Sequence, residues 1–154
     1  MKAIVLTHAH NDHINAAAEL ADAVGGPPLL LHPDDRMLWD VVHPEREPDD
    51  ELRAGRVISV GGSELTVLHT PGHSPGGCCL YTPADGVLFS GDTLFNGGPG
   101  ATGRSFSSFD TIIESLRRDV IGLPGATRVL TGHGDETTVG AEAAHFDEYV
   151  ARGH

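Results

Sequence analysis

A dense group of histidines and carboxylates follows the first apolar segment of the chain. Residues 2–7 are short, apolar and rich in β-branched side chains, which predicts a buried strand. Residues 8–13 come directly after it and read H-A-H-N-D-H. Although the chain holds 10 histidines in 154 residues, a chance H-x-H-x-D-H has a probability of only roughly 0.003. Imidazole and carboxylate groups at this density favour a metal site at the end of the first strand.

Three further polar motifs each follow a predicted strand. They are H-T-P-G-H-S-P-G (69–76) after strand 65–68, G-D-T (91–93) after strand 87–90, and G-H-G (132–134) after strand 128–131. Because ligands at the carboxyl ends of several strands can converge on one edge of a sheet, we expect these motifs to form one centre. None of the motifs contains a thiolate, which argues against a structural cysteine-type zinc site.

The composition is typical of a globular protein, and we expect residues 1–154 to form a single domain. The net charge of −12 argues against a nucleic-acid partner, since phosphate binding requires a basic surface. No apolar run approaches the roughly 20 residues of a membrane span, and residues 1–6 are too short an apolar stretch for a secretory signal and lack a cleavage site. We therefore expect a cytoplasmic protein without a membrane partner.

Strands and helices alternate along the chain without a strict repeat, which predicts an α/β layered fold. Further strands are predicted at residues 29–31, 57–60 and 79–81, and helices at 12–24, 109–121 and 138–152. Residues 32–35 are predicted to cap a short helix that runs through Trp39 and Val42. Residues 43–54 and the glycine-rich segment 96–105 are predicted to be loops. The adjacent Cys78 and Cys79 should point to opposite faces of a strand and form no disulfide with each other.

Taken together, the motifs resemble the metallo-β-lactamase superfamily, and within it the glyoxalase II-like (hydroxyacylglutathione hydrolase-like) thioester hydrolases. T-H-A-H-N-D-H, H-T-P-G-H-S-P-G, F-S-G-D-T-L-F and T-G-H-G occur in the family's order between Thr7 and His133. The resemblance implies an αββα sandwich with the metals at one edge of its two sheets. His69 has no ligand role in that pattern. The resemblance assigns His8, His10 and His73 to a first metal, Asp12, His13 and His133 to a second, and Asp92 to both.

The implied cofactor is a pair of divalent ions, with zinc expected and iron or manganese as alternatives. Two such ions lower the pKa of a shared water, which then attacks the carbonyl of a small-molecule thioester while the ions stabilise the oxyanion. Asp12 and Asp92 are the expected catalytic carboxylates, since Asp12 can orient the attacking group while Asp92 holds both ions. No G-x-S-x-G element supplies a protein nucleophile. Arg104 is expected either to bind a substrate carboxylate or to structure its loop.

Two departures from the family pattern leave other functions open. The family places strands before the H-x-H-x-D-H strand, so we expect an N-terminally incomplete first sheet with an open edge. Either the chain is a fragment or has a misassigned start, or a second copy covers the open edge in a homodimer. Glyoxalase II enzymes also carry a C-terminal helical extension that binds glutathione, and the chain ends one helix after its last ligand motif. The alternatives are a mononuclear iron persulfide dioxygenase and an inactive remnant or interaction module that binds a partner by strand addition. Lactamase or nuclease activity fits the motifs less well.

Overall fold

The computed structural model describes residues 1–153, which fold into short strands and helices in alternation. The strands are β1 (Ile4–Val5), β2 (Leu29–Leu31), β3 (Asp50–Glu51), β4 (Val57–Val60), β5 (Ser63–His69), β6 (Cys78–Thr82), β7 (Val87–Gly91), β8 (Leu94–Phe95), β9 (Gly98–Pro99), β10 (Arg128–Thr131) and β11 (Thr137–Thr138). The helices are α1 (Asn11–Ile14), α2 (Ala17–Ala23), α3 (Arg36–Val42), α4 (Phe109–Ser115), α5 (Val139–Ala143) and α6 (Phe146–Arg152). A 3₁₀ turn, Pro33–Asp35, precedes α3, and a π-helical segment, Leu116–Val120, continues α4.

The strands form two main sheets of unequal width. The narrower sheet has the order β1-β2-β3, with both pairs parallel. The wider sheet has the order β11-β10-β7-β6-β5-β4, in which β7 and β10 are parallel and the other neighbours antiparallel. Strands β8 and β9 pair with each other as a short hairpin.

Successive residues of the inner strands face different layers, and this alternation builds three cores. Leu29 and Leu31 pack with Ile14 and Trp39 beneath helices α1–α3, whereas Leu30 faces the wider sheet. A third core lies between the wider sheet and α4–α6. It contains Leu88, Val129, Ile112, Leu116, Val139 and Phe146. The layers therefore follow the order helix, sheet, sheet, helix, and the predicted αββα sandwich is confirmed.

The two adjacent cysteines show the same alternation. Cys78 belongs to the core between the sheets, and Cys79 to the core beneath α4–α6. Both are buried free thiols, so the prediction of opposite faces without a disulfide is confirmed.

Several predicted elements are shorter than the patterns indicated. The apolar run of residues 12–24 is interrupted at residues 15–16, because α1 packs against α3 while α2 packs against β2. The predicted closing helix is likewise divided into α5 and α6. The prediction of loops was wrong at two places, where β3 and β9 lie within segments 43–54 and 96–105.

Strand β1 lies at the edge of the narrower sheet. The backbone N–H groups of Ile4 and Leu6 donate to the carbonyls of Pro28 and Leu30. The backbone N–H and carbonyl of Val5, which lies between them, therefore face away from β2. Among residues 1–153, no strand pairs with that outer side. Within the same range, no helix is both long enough and apolar enough to cross a membrane.

Candidate metal centre

The four polar motifs meet at the edge of the sandwich where β1, β5, β7 and β10 end. Residues 8–13 follow β1, and His73 lies in the loop after β5. Asp92 comes directly after β7, and His133 follows β10 by two residues. The structure thus brings together all seven residues that the sequence singled out as ligands, in three groups that share His8 and His13.

The first group, the tri-histidine group, consists of His8, His10 and His73. One ring nitrogen from each lies within 4.8 Å of the others. His10 Nδ1 and His73 Nε2 are 2.9 Å apart, which compares with roughly 3.3 Å for two nitrogens on one tetrahedral zinc. The three rings therefore fit a single metal ion with little movement.

Hydrogen bonds on the far side of two rings fix which nitrogen faces the group. His73 Nδ1 donates to the Ala101 carbonyl at 2.7 Å, which leaves the lone pair on Nε2. His8 Nδ1 lies 3.3 Å from Thr7 Oγ1. Nε2 of His8 is buried and has no hydrogen-bond partner among residues 1–153.

The second group, Asp12, His13 and His133, lies nearer the surface. His13 Nε2 is 3.0 Å from His133 Nε2, and Asp12 Oδ2 is 3.1 Å from the same His133 atom. The side chains of Asp12 and His133 are 61% and 55% exposed, whereas His8 is 2% exposed. A substrate can therefore reach the second group directly from solvent.

Asp92 lies between the two groups and faces both. Its Oδ1 is 3.4 Å from His13 Nε2, and its Oδ2 is 3.4 Å from His73 Nε2. Oδ1 is buried and, like His8 Nε2, has no hydrogen-bond partner in the described part of the chain. A buried carboxylate oxygen without a donor is costly, and a cation satisfies it. These two unpartnered atoms show that the residues fit a bound metal ion.

A glycine makes room for Asp92. A Cβ placed on Gly132 would lie 2.1 Å from Asp92 Oδ1 and 3.0 Å from the His13 ring. No side chain can occupy this position without displacing the carboxylate, which explains the glycine before His133 in the T-G-H-G motif.

Burial and mutual proximity set the ionisation of the site. Burial, reinforced by His13, lowers the pKa of His8 to about 3, and burial and His73 lower that of His10. Burial opposes ionisation of Asp92, but His13 and His8 outweigh it and hold the pKa of this carboxyl below its usual range. The Asp92 carboxylate in turn raises the pKa of His13. Neutral imidazole and ionised carboxylate are the forms that bind metal ions.

A cleft of about 270 Å³ lies over the two groups, and Phe95, Ala101 and Arg104 line it together with five of the predicted ligands. The backbone of Arg104 is held by Ser107, whose Oγ accepts from its N–H and donates to its carbonyl. Among residues 1–153, no carboxylate forms an ion pair with the Arg104 guanidinium. Hydrogen bonds to the backbone of Arg104 therefore hold this loop, and the Arg104 side chain is available to a ligand.

Sequence reasoning missed the residues around the ligands. Phe95 belongs to the F-S-G-D-T-L-F motif but received no role, and Asp35 was interpreted only as part of a helix cap. The buried His32 and the half-buried His69 form a stacked pair, with ring centroids 3.9 Å apart and planes inclined by 12°. With Asp34 they make another His/Asp group, but parallel rings cannot direct their lone pairs at one ion.

The sequence matches the family model of the metallo-beta-lactamase superfamily over residues 1–133. The chain belongs to this superfamily. The matched range contains every residue of the two groups and all of the four motifs except Gly134. Membership confirms the expected superfamily and, with it, the general class of metallo-hydrolase.

Curated relatives of this superfamily member are similar over most of its length. A protein of Aquifex aeolicus is 40% identical over 152 residues, which are 92% of this chain and 72% of the relative. The probable metallo-hydrolase YqgX of Bacillus subtilis is 36% identical over 89% of this chain and 70% of its own. The hydroxyacylglutathione hydrolase GloC of Haemophilus influenzae is 31% identical over 92% and 73%, respectively.

Solved structures of the superfamily superpose closely on the chain. The BLEG-1 B3 metallo-beta-lactamase has a TM-score of 0.82 and 34% identity, covering 96% of this chain and 77% of its own. TTHA1623 in a di-iron-bound form has a TM-score of 0.80 and 39% identity, covering 92% and 74%. ETHE1 from Myxococcus xanthus has a TM-score of 0.81, but its 24% identity over 97% and 63% supports the fold alone.

Proposed function

We propose that this superfamily member is a dinuclear metal-dependent hydrolase that cleaves acyl-thioesters of a small thiol. The observation that carries the proposal is the presence of two complete ligand groups with Asp92 between them. A mononuclear centre would use only the tri-histidine group and Asp92. A second ion accounts for the close approach of Asp12, His13 and His133, which lie within ligand distance of each other.

The ligand set is compatible with zinc, and iron or manganese are alternatives, since imidazole and carboxylate suit all three. The related di-iron form of TTHA1623 makes iron a specific alternative for this chain. When bound, two divalent ions polarise a carbonyl oxygen and lower the pKa of water toward neutrality.

The residues of the chain position the reactants around the centre. Asp92 keeps the two groups at a fixed separation through its two oxygens. The exposed carboxylate of Asp12 lies at the cleft, where it can orient the attacking water. Phe95 lies against His133, with ring centroids 6.4 Å apart, and offers an apolar wall for the acyl or thiol chain.

Arg104 indicates which substrates the proposed enzyme prefers. Its exposed guanidinium lines the cleft without a carboxylate partner in the described part of the chain. A guanidinium in this position binds a carboxylate in a bidentate manner. We therefore expect substrates whose acyl or thiol part carries a negative charge. Similarity to GloC supports a thioester, and it leaves the identity of the thiol to experiment.

A mononuclear iron persulfide dioxygenase is the second candidate. The observation in its favour is the difference in burial between the groups, since the tri-histidine group with Asp92 can hold one ion while the exposed group stays empty. This centre would use His8, His10, His73 and Asp92.

Metal content and turnover, measured on the same purified protein, test the proposal. We expect about two ions per chain by elemental analysis, with cleavage of S-lactoylglutathione or another anionic thioester. The matching oxygen ester and a chromogenic β-lactam serve as control substrates. Arg104→Met should raise KM for an anionic thioester by about tenfold, since a charge-assisted hydrogen bond is lost, and should leave the metal content unchanged.

Other results would replace the proposal. One iron per chain with oxygen consumption on a persulfide would establish the dioxygenase. Preferential cleavage of the β-lactam would place the protein among the lactamases. Well-folded protein with neither metal nor turnover would contradict both enzyme hypotheses. The remaining hypothesis would be a non-catalytic interaction module.

A further inference from the structure

Asp35 is a buried carboxylate that belongs to neither group of candidate metal ligands. It ends the 3₁₀ turn after β2, and its side chain is fully buried. Among residues 1–153, no lysine, arginine or histidine forms an ion pair with it. Burying a carboxylate in this way is costly unless hydrogen bonds compensate.

Three hydrogen bonds compensate for the burial, and all three come from distant parts of the chain. Oδ2 accepts from the backbone N–H of Ala9 at 2.9 Å and from Oγ of Ser74 at 2.8 Å. Oδ1 accepts from the backbone N–H of Gly76 at 2.5 Å. The donors are 26 to 41 residues away in sequence.

These donors belong to the two loops that supply the tri-histidine group. Ala9 lies between His8 and His10, and Ser74 directly follows His73. None of the donors lies next to His133, and Asp12 and His13 stand on α1, beyond His10. The connection to Asp35 is therefore most direct for the tri-histidine group. One carboxylate thus joins the two loops whose separation sets the distance between His10 and His73.

Packing against Gly76 keeps this arrangement tight. A Cβ placed on Gly76 would lie 2.7 Å from the Asp35 backbone nitrogen and 2.8 Å from its carboxyl carbon. The loop that carries His73 can therefore approach Asp35 only because residue 76 is a glycine.

We propose that Asp35 is a positioning residue for the metal site, clamping the loop of His8 and His10 to the loop of His73. The clamp prearranges the three imidazoles, so binding of the first metal does not have to bring two free loops together. This inference rests on the dinuclear centre of the proposed function but not on the identity of its substrate.

An isosteric substitution separates the clamp from simple packing. Asparagine at residue 35 offers one acceptor oxygen and one NH₂ group. In one orientation its NH₂ faces the N–H of Gly76, and in the other it faces the N–H of Ala9. Either way, a buried backbone N–H loses its acceptor, and one loop is released.

The test is metal titration of wild-type and Asp35→Asn protein with zinc against a competing chelator. We expect the affinity of the tri-histidine site to fall by about 10- to 100-fold, as for other residues that orient ligands, and that of the second site to change little. In the metal-free protein, hydrogen exchange at the Ala9 or Gly76 amide should become faster in the variant. Both readouts are independent of turnover, so they hold or fail separately from thioester hydrolysis.

Glu142→Gln provides a matched control. Glu142 is also a buried carboxylate with three donors, which are Gly97 N–H, Thr137 Oγ1 and Tyr149 Oη. Its substitution should lower the melting temperature without selectively weakening the tri-histidine site. Should Asp35→Asn fail to fold, Ser74→Ala removes one donor only, and it should weaken the same site by about threefold.

Three outcomes would overturn the inference. Folded Asp35→Asn protein that binds both ions as tightly as the wild type would show that the clamp does not act on the site. Equal weakening of both sites, or the same selective loss in Glu142→Gln, would show only general destabilisation. Unchanged tri-histidine affinity in Ser74→Ala would count against the clamp if the asparagine variant cannot be measured.

Discussion

Asp92 is the residue on which both halves of the centre depend. We expect Asp92→Ala to weaken binding of each metal by at least about tenfold, because each ion loses a charged oxygen. Elemental analysis after gel filtration measures the effect. Asp85→Ala removes a carboxylate from the turn at the other end of β7, where it accepts from Thr82 and Ser63, and should leave the metal content unchanged. Full metal content in Asp92→Ala protein would refute the bridging assignment.

Gly132 gives a second prediction at this scale. A methyl group at residue 132 would overlap Asp92 Oδ1, so Gly132→Ala should displace the carboxylate and lower both metal content and turnover. Gly122→Ala is the control, since a Cβ there meets no atom within 4 Å. Circular dichroism should be the same for both variants. Wild-type metal binding by Gly132→Ala would show that the carboxylate tolerates displacement.

The residues that meet at the candidate site could be singled out from the sequence, but the residues that hold them in place could not. His8 to His13 stand in one dense motif directly after a strand, so local pattern was sufficient to single them out. Asp35 accepts hydrogen bonds from Ala9 and Gly76, 26 and 41 residues away, and its local sequence indicates only a helix cap. Long-range hydrogen bonds of this kind leave no periodic signal in the chain.

At the scale of elements, period-two alternation made the inner strands predictable. Cys78 to Leu80 alternate between two cores, as the pattern of a doubly buried strand requires. The short outer elements were missed because other interactions define them. Strand β3 follows a polar loop and is held by Asp49, whose backbone N–H and carboxylate bond the carbonyl and N–H of Leu29.

Strand β6 gives a prediction about reactivity. Burial raises the pKa of Cys79 to about 11 and that of Cys78 further, so neither thiol should react with a disulfide reagent at pH 8 in the native protein. Both thiols should react in denaturant. Ser59→Cys, on the exposed edge strand β4, should add one fast-reacting thiol as the control. Rapid native labelling of the wild type would show that β6 opens readily.

The raised pKa of the Cys79 thiol also affects how the free energy of unfolding depends on pH. Above about pH 9 the unfolded chain loses its thiol protons while the folded chain retains them. The unfolded state then binds fewer protons, so the free energy of unfolding should fall as the pH rises past that value. Denaturant unfolding of wild type and Cys79→Ser across this range measures the contribution.

At the scale of the whole molecule, metal ions should stabilise the folded state. Binding to the native form alone contributes about 2.7 kcal/mol when free metal is at 100 times Kd. We expect a chelator to lower the melting temperature and added zinc to restore it. The Asp92→Ala variant should respond less than the wild type to both treatments. Identical melting of metal-free and metal-loaded wild type would mean that the ligands do not hold ions in the native state.

The open side of β1 predicts self-association, which stays untested. Val5 presents its N–H and carbonyl away from β2, and pairing of two such edges would give a homodimer. Val5→Pro removes the outward donor and spares the bonds of Ile4 and Leu6 to the neighbouring strand. Sedimentation equilibrium should show a dimer for the wild type and a monomer for the variant. A monomeric wild type would exclude this interface.

The ligands of the centre come from almost the whole chain, and this affects when the centre can form. His13 and His133 touch across 120 residues of sequence. The tri-histidine group and Asp92 all precede β10 in the chain, whereas the second group needs His133, which follows β10. In the proposed dinuclear centre, the second site would therefore be complete only after β10 has paired with β7 in the wider sheet. We then expect binding of two ions to mark chains in which this pairing has formed.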